Sequence, residues 1–216
     1  AAGEGGAVTG DSDELLDRCA AYRDCGRSFG TFKGNGYFSH GLNYRMKHYQ
    51  AEILSRQFDK LATETQRRRQ NADYLTAALK QIPGIHPVRL PENSLPAWHL
   101  YPFRYDADQF HGLSRSKFMR ALAAEGVPCS GGYHEQYFDG LLDEALNSRG
   151  FKRLFPPERL KAYRDGLHEL KGNKLACNTT VALFHSMLLA ERSDIDHIVE
   201  AIRKIQARSE ELAKKA

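Results

Sequence analysis

Residues 40–50 read His40-Gly41-Leu42-Asn43-Tyr44-Arg45-Met46-Lys47-His48-Tyr49-Gln50: a glycine turn, an amide, a Tyr-Arg pair and the start of a long amphipathic helix. A helix entrance holds anions, because its first backbone N–H groups lack intrahelical partners and the dipole favours negative charge there. Asn43 brings an amide donor to that place and Arg45 a charge-assisted fork. The local alternative is that Asn43 caps the helix and Arg45 pairs with a surface carboxylate. The neighbouring sequence decides how much weight each reading carries.

Downstream, Lys47 to about Ile82 is helical, with Tyr49, Ile53, Leu54, Phe58, Leu61 and then Ala72, Leu75, Leu79 and Ile82 at steps of three and four. Pro83-Gly84 ends it, and a break is expected near Thr63–Thr65. So long a helix joins one domain to the next. Its Arg67-Arg68-Arg69 run is the best nucleic-acid candidate, but three successive arginines point to different sides of a helix with no aromatic platform, which reads as a solvated face.

Upstream, Glu4–Thr9 reads as a short strand. Asp11, Ser12 and Asp13 then cap a helix that stops at Gly26. Residues 27–40 mix Gly30, Gly34 and Gly36 with Phe29, Phe32, Tyr37 and Phe38, a loop with adhesive side chains. Lys33 among these glycines hints at a phosphate cradle, although the Walker spacing is absent. The opening AAGEGGAVTG reads as a strand already under way, so the chain is expected to begin part-way through a larger fold.

Beyond Pro83 strands alternate with helices. Ile85–Leu90 and Trp98–Tyr105 read as strands, Ser114 or Ser116 caps a helix to Gly126, and Val127–Cys129 is a short strand before the loop Gly131–His134. Asp139–Asn147, Glu158–Glu169 and Asp194–Ala213 are helical, and Cys177–Thr180 reads as a turn leading into a strand over Val181–Phe184. The fold class is α/β: residues 1–46 close a larger domain, 47–82 form a linking helix, and 83–216 form a small α/β domain.

Hydrophobic content of 41% and charge of 27% read as soluble and globular. Net charge is only +4 and is taken as spread along the chain, which gives no nucleic-acid footprint. Cys19, Cys25, Cys129 and Cys177 form no CxxC pair and no metal-like spacing with histidine, so no metal site is expected and the thiols read as reduced. No apolar run approaches the ~20 residues that span a bilayer. A cytoplasmic protein without membrane or nucleic-acid partners is expected.

With Gly3-Glu4-Gly5-Gly6, then Gly41, Asn43-Tyr44-Arg45-Met46 and Gln50-Ala51 in order, and Arg68, Asn71, Ala72 and Glu125-Gly126-Val127 agreeing, the chain resembles the DegT/DnrJ/StrS family of pyridoxal-phosphate-dependent sugar aminotransferases. The resemblance implies the C-terminal portion of an aspartate-aminotransferase-type (fold type I) enzyme that works as a homodimer with a shared active site. It implies pyridoxal phosphate as cofactor, an amino-acid donor resembling glutamate or glutamine, and a keto-sugar or keto-cyclitol acceptor. Asn43 and Arg45 are then cofactor-binding residues. Tyr44 and His134 are substrate-side candidates, with the plainer readings of packing for Tyr44 and a surface imidazole for His134.

The family's Schiff-base lysine stands about five positions before the Gly-Glu-Gly-Gly motif, which places it upstream of residue 1. Lys33 and Lys47 are poor substitutes, since neither sits on a strand end in a desolvated pocket. The expectation is a transaminase as the intact protein and an inactive chain by itself. The competing class is a non-catalytic dimerisation or binding module that retains only the small domain.

Overall fold

The computed structural model describes residues 2–31 and 36–214. Two compact units, Ala1–Thr63 and Glu64–Ala216, divide inside a single helix.

In the first unit, α1 (Asp13–Arg23) begins where the Ser12 hydroxyl accepts from the Leu15 N–H at 3.3 Å, with Asp13 and Glu14 in the turn that favours negative charge. It ends at Gly26, whose N–H donates to the Ala21 carbonyl at 2.7 Å and whose φ of +84° suits glycine. Helix α2 (His48–Leu79) runs unbroken through Thr63–Thr65. The expected break is absent because α2 contains neither Gly nor Pro, and threonine alone costs only a few tenths of a kcal/mol in a helix. The strand read over Glu4–Thr9 is absent too: the segment is irregular and exposed. A strand exists only by pairing, and the pairing described in this unit is limited to single antiparallel bridges, Asp24 with Asn43 and Arg27 with Tyr37.

The second unit holds the core. Strands β1 (Ile85–Pro87), β2 (Leu100–Tyr105), β3 (Cys129–Ser130) and β4 (Thr180–Phe184) form one antiparallel sheet in the order β1-β2-β4-β3. Register sets Tyr101 opposite Leu183 and Phe103 opposite Val181. Along β2 the buried residues are Tyr101, Phe103 and Tyr105, every second position, as a half-buried strand requires. Against them lie Phe118 and Leu122 of α3 (Arg115–Ala124), the stripe Ile195, Ile198, Val199, Ile202 and Ile205 of α8 (Arg192–Ala207), and Ala72, Leu75 and Leu79 of α2. Tyr105, Phe110 and Phe118 form an aromatic cluster with centroids 4.3–5.5 Å apart.

Between β3 and β4 the chain makes α4 (Leu141–Asn147), α5 (Arg149–Leu154), α6 (Pro157–Gly166) and α7 (Lys171–Thr179). Helix α5 is not foreseen in the sequence, and the turn expected at Cys177–Thr180 is instead the last turn of α7 leading directly into β4. The helix expected over Asp194–Ala213 is two, α8 and α9 (Ser209–Lys214). Ser209 is buried at the break, its hydroxyl 2.8 Å from His111 Nδ1 and donating to the Gln206 carbonyl at 2.7 Å. Among the described residues no helix is long and apolar enough to cross a membrane, and no three metal-ligating side chains gather. The four cysteines are free and half-buried.

Candidate functional site

The first unit ties the two sequence motifs together. Gln50, in the first turn of α2, accepts from the Lys47 N–H at 3.0 Å through Oε1 and donates from Nε2 to the carbonyls of Glu4 at 3.2 Å and Ala2 at 3.5 Å. One amide side chain thus closes the helix entrance, as the acidic or amide partner of a capping box does, and pins the Gly-rich opening segment beside it. The signal was present in the sequence as a glutamine three residues after Lys47.

Segment 39–44 returns along the end of α1. Leu42 N–H donates to Tyr22 at 2.7 Å, Tyr44 N–H to Arg23 at 2.8 Å, and Cys25 N–H to Leu42 at 3.0 Å. This approach requires glycine twice. A Cβ on Gly26 would stand 1.7 Å from the Ser39 carbonyl oxygen, and one on Gly41 would stand 2.5 Å from both Gly26 N and Tyr22 O. The loop is also anchored near its start: Asp17 accepts from the Thr31 N–H at 2.7 Å and its hydroxyl at 2.6 Å. Those two donors hold the Asp17 carboxyl below the usual carboxylate range. The hint of a phosphate cradle at Lys33 lies outside the described residues.

On this frame Asn43, Tyr44 and Arg45 stand together. Arg45 Nε donates to Asn43 Oδ1 at 3.0 Å and lies 3.4 Å from Asp24 Oδ1, which also accepts from Arg27 at 2.9 Å. Asp24 therefore orients Arg45, a role that no local spacing announces. The amide of Asn43 spends its oxygen on Arg45 and, among the described residues, keeps its Nδ2 donor, while Arg45 spends Nε and keeps both Nη groups. That donor set fits a phosphate, which takes several N–H groups at once. Tyr44 is 66% exposed and meets the Tyr22 ring edge-on with centroids 6.5 Å apart. A cleft of about 1220 Å³ is lined by both motifs, including Glu4, Gly6, Arg23, Tyr44 and Arg45, and no lysine is among its described lining residues.

His134 stands in the second unit, exposed, with Nε2 paired to the Asp139 carboxylate. The loop before it is held by Arg115, whose Nη1 donates to the carbonyls of Gly131 at 3.2 Å, Cys177 at 2.7 Å and Thr180 at 3.0 Å. The solvated face expected at Arg67–Arg69 is overturned. Arg67 donates to Glu191 at 2.7 Å and the Ala190 carbonyl at 3.0 Å, Arg68 to Glu64 at 2.8 Å, and Arg69 to the carbonyls of Pro96 and Leu95 at 3.4 and 3.5 Å. Arg67 and Arg69 are structural ties made at long sequence separation, and Arg68 pairs within its own helix.

A family model described as the DegT/DnrJ/EryC1/StrS aminotransferase family matches residues 1–147. An L-glutamine:2-deoxy-scyllo-inosose aminotransferase from Streptoalloteichus tenebrarius is 27% identical over 94% of this chain and 49% of its own length. A dTDP-3-amino-3,6-dideoxy-alpha-D-galactopyranose transaminase from Aneurinibacillus thermoaerophilus is 26% identical over 93% of this chain and 46% of its own. Among solved structures, 3-amino-5-hydroxybenzoic acid synthase superposes with a TM-score of 0.66 at 20% identity, covering 90% of this chain and 47% of that one. The chain thus spans about half the length of the curated relatives it matches, and over that half its α/β fold is theirs.

Proposed function

Because the chain belongs to the DegT/DnrJ/EryC1/StrS aminotransferase family, we propose that the intact protein moves an amino group from a glutamate- or glutamine-like donor onto a keto-sugar or keto-cyclitol. The family works with pyridoxal phosphate, which when bound supplies the electron sink for amino-group exchange. The observation that carries the reading is the Gln50 bridge, which sets the Gly-rich opening segment against the Asn43–Met46 motif at one cleft.

Within it, Asn43 Nδ2 and the Arg45 Nη groups hold the phosphate, with Asp24 keeping Arg45 in register. Tyr44 lies on the substrate side, and His134, fixed by Asp139, is a separate substrate-side candidate. The lysine that bonds the cofactor is taken to lie outside residues 1–216, so the chain alone does not turn over. A second copy completes the pocket. Support for that comes from the apolar side chains that the first unit leaves in water, Tyr44, Met46, Tyr49 and Phe58 among them.

The test is a titration of the purified chain with pyridoxal phosphate, followed by borohydride reduction and peptide mass mapping. Asn43→Ala and Arg45→Ala are each expected to weaken binding about tenfold, the scale of one charge-assisted hydrogen bond. A reduced cofactor adduct on any lysine within the chain would refute the placement of the nucleophile elsewhere. Binding indifferent to both substitutions would refute the phosphate site.

A further inference from the structure

The charge of the chain is concentrated, contrary to the even spread expected from its totals. Between Ser148 and Arg164 stand Arg149, Lys152, Arg153, Arg159, Lys161 and Arg164 against the single acid Glu158, in a chain whose whole net charge is +4. The stretch begins where the family match ends. It forms α5, the Pro156-Pro157 corner and most of α6, and nearly all of it is exposed. Arg164 is committed to Asp143 and Lys161 to Asp165. Arg149, Lys152, Arg153 and Arg159 have no acidic partner among the described residues.

The apolar residues are placed just as regularly. Phe151 and Leu154 stand three residues apart on one face of α5 with Phe155 next at its extended C-cap, and Arg149, Lys152 and Arg153 follow at three- and four-residue steps on another face. Leu154 is 73% exposed, Phe151 and Phe155 are each about two-fifths exposed, and their rings sit 5.8 Å apart. The surface is preformed: Ser148 caps α5 through the Phe151 N–H at 3.3 Å, and the two-pronged Arg164–Asp143 pair ties α6 to α4.

From this placement we infer that α5 and the start of α6 are a peripheral docking surface for an anionic phospholipid bilayer. The apolar triplet enters the headgroup boundary while the four unpaired cations meet lipid phosphates, the division of labour of an interfacial amphipathic segment. A nucleic acid is the weaker fit, since bases stack on aromatic rings whereas the most exposed apolar group here is a leucine. Three apolar side chains give reversible attachment that depends on charge.

The experiment is co-sedimentation of the full chain with phosphatidylglycerol-containing vesicles and with pure phosphatidylcholine vesicles. Sedimentation is expected with the anionic vesicles alone and lost as salt rises toward about 1 M, where screening shortens to ~3 Å. Lys152→Ala and Arg153→Ala should each weaken it about fivefold, the equivalent of ~1 kcal/mol per cation, and Leu154→Ser should weaken it as well. All three sites are exposed, so unchanged circular dichroism is the control for folding. Absence of binding to anionic vesicles, or equal binding to neutral ones, overturns the inference. So does RNA binding at these cations that ignores Leu154→Ser, or self-association that Leu154→Ser abolishes.

Discussion

The two units invert the usual relation between a core and a site. Among the described residues, Ala21 is the one buried hydrophobic residue before position 64, whereas the second unit encloses the sheet, the aromatic cluster and the stripe of α8. The first unit carries both motifs and the cleft, yet leaves Tyr44, Tyr49 and Phe58 in water. Stability therefore resides outside the unit that carries the two sharpest motifs, and those motifs sit on a surface whose apolar side chains are exposed. This difference can be broken or sharpened by measurement.

The largest contrast is between two phenylalanines. Phe103→Ala empties a fully buried site on β2 and should cost about 3–5 kcal/mol in urea unfolding of the second unit. Phe58→Ala, at a side chain 65% exposed, should change stability by no more than about 0.5 kcal/mol. Equal losses would refute the claim that the core is confined to the second unit.

Next comes alkaline pH. Burial of the Tyr101 hydroxyl, with the nearby Asp73 charge adding to the effect, pushes its pKa up to about 12, although the 2.7 Å bond to Thr76 opposes the shift. Because the folded value lies above the unfolded one near 10, the neutral phenol's contribution is fully present below about pH 10. It is lost as pH rises toward 12, by about 2–3 kcal/mol. Unfolding curves across that window should show the loss, and Tyr101→Phe should flatten it.

A smaller effect is expected at Asn71, whose Nδ2 donates to the carbonyls of Leu188 at 2.9 Å and Ala190 at 3.1 Å inside the second unit. Asn71→Ala leaves these carbonyls without that donor and should cost about 1–3 kcal/mol by chemical denaturation.

The smallest belongs to the first unit. Asp17 has its carboxyl lowered by Thr31, so the loop anchor is present above the ordinary carboxylate value and is lost as pH falls below that value through the lowered one. Protection of the Thr31 amide from hydrogen exchange should follow that acid titration and disappear in Asp17→Asn. Protection that persists in the variant would show that the loop is held by other contacts.

Some of this architecture was legible without coordinates because its causes are local. Ser12 and Ser114 announce helix starts, and the three- and four-residue steps of Leu75, Leu79, Ile195 and Ile202 announce buried faces. The strand read at Glu4–Thr9 failed because pairing is not a property of the segment that pairs. The turn read at Cys177–Thr180 failed because α7 runs directly into β4 with no intervening loop. Arg67–Arg69 looked solvated because Glu191, Ala190, Leu95 and Pro96 lie far away in sequence.

Sequence alone determined α1, α3 and most of α2, the residue types gathered at the Asn43–Gln50 entrance and the family to which they point, since periodicity, capping and motif order are written in consecutive residues. Tertiary structure alone decided that Gln50 bridges the two motifs, that Asp24 steers Arg45 and that Arg149, Lys152, Arg153 and Arg159 are exposed. Each of those depends on which distant atoms the folded backbone brings within hydrogen-bonding reach or leaves in water, and that is set by packing.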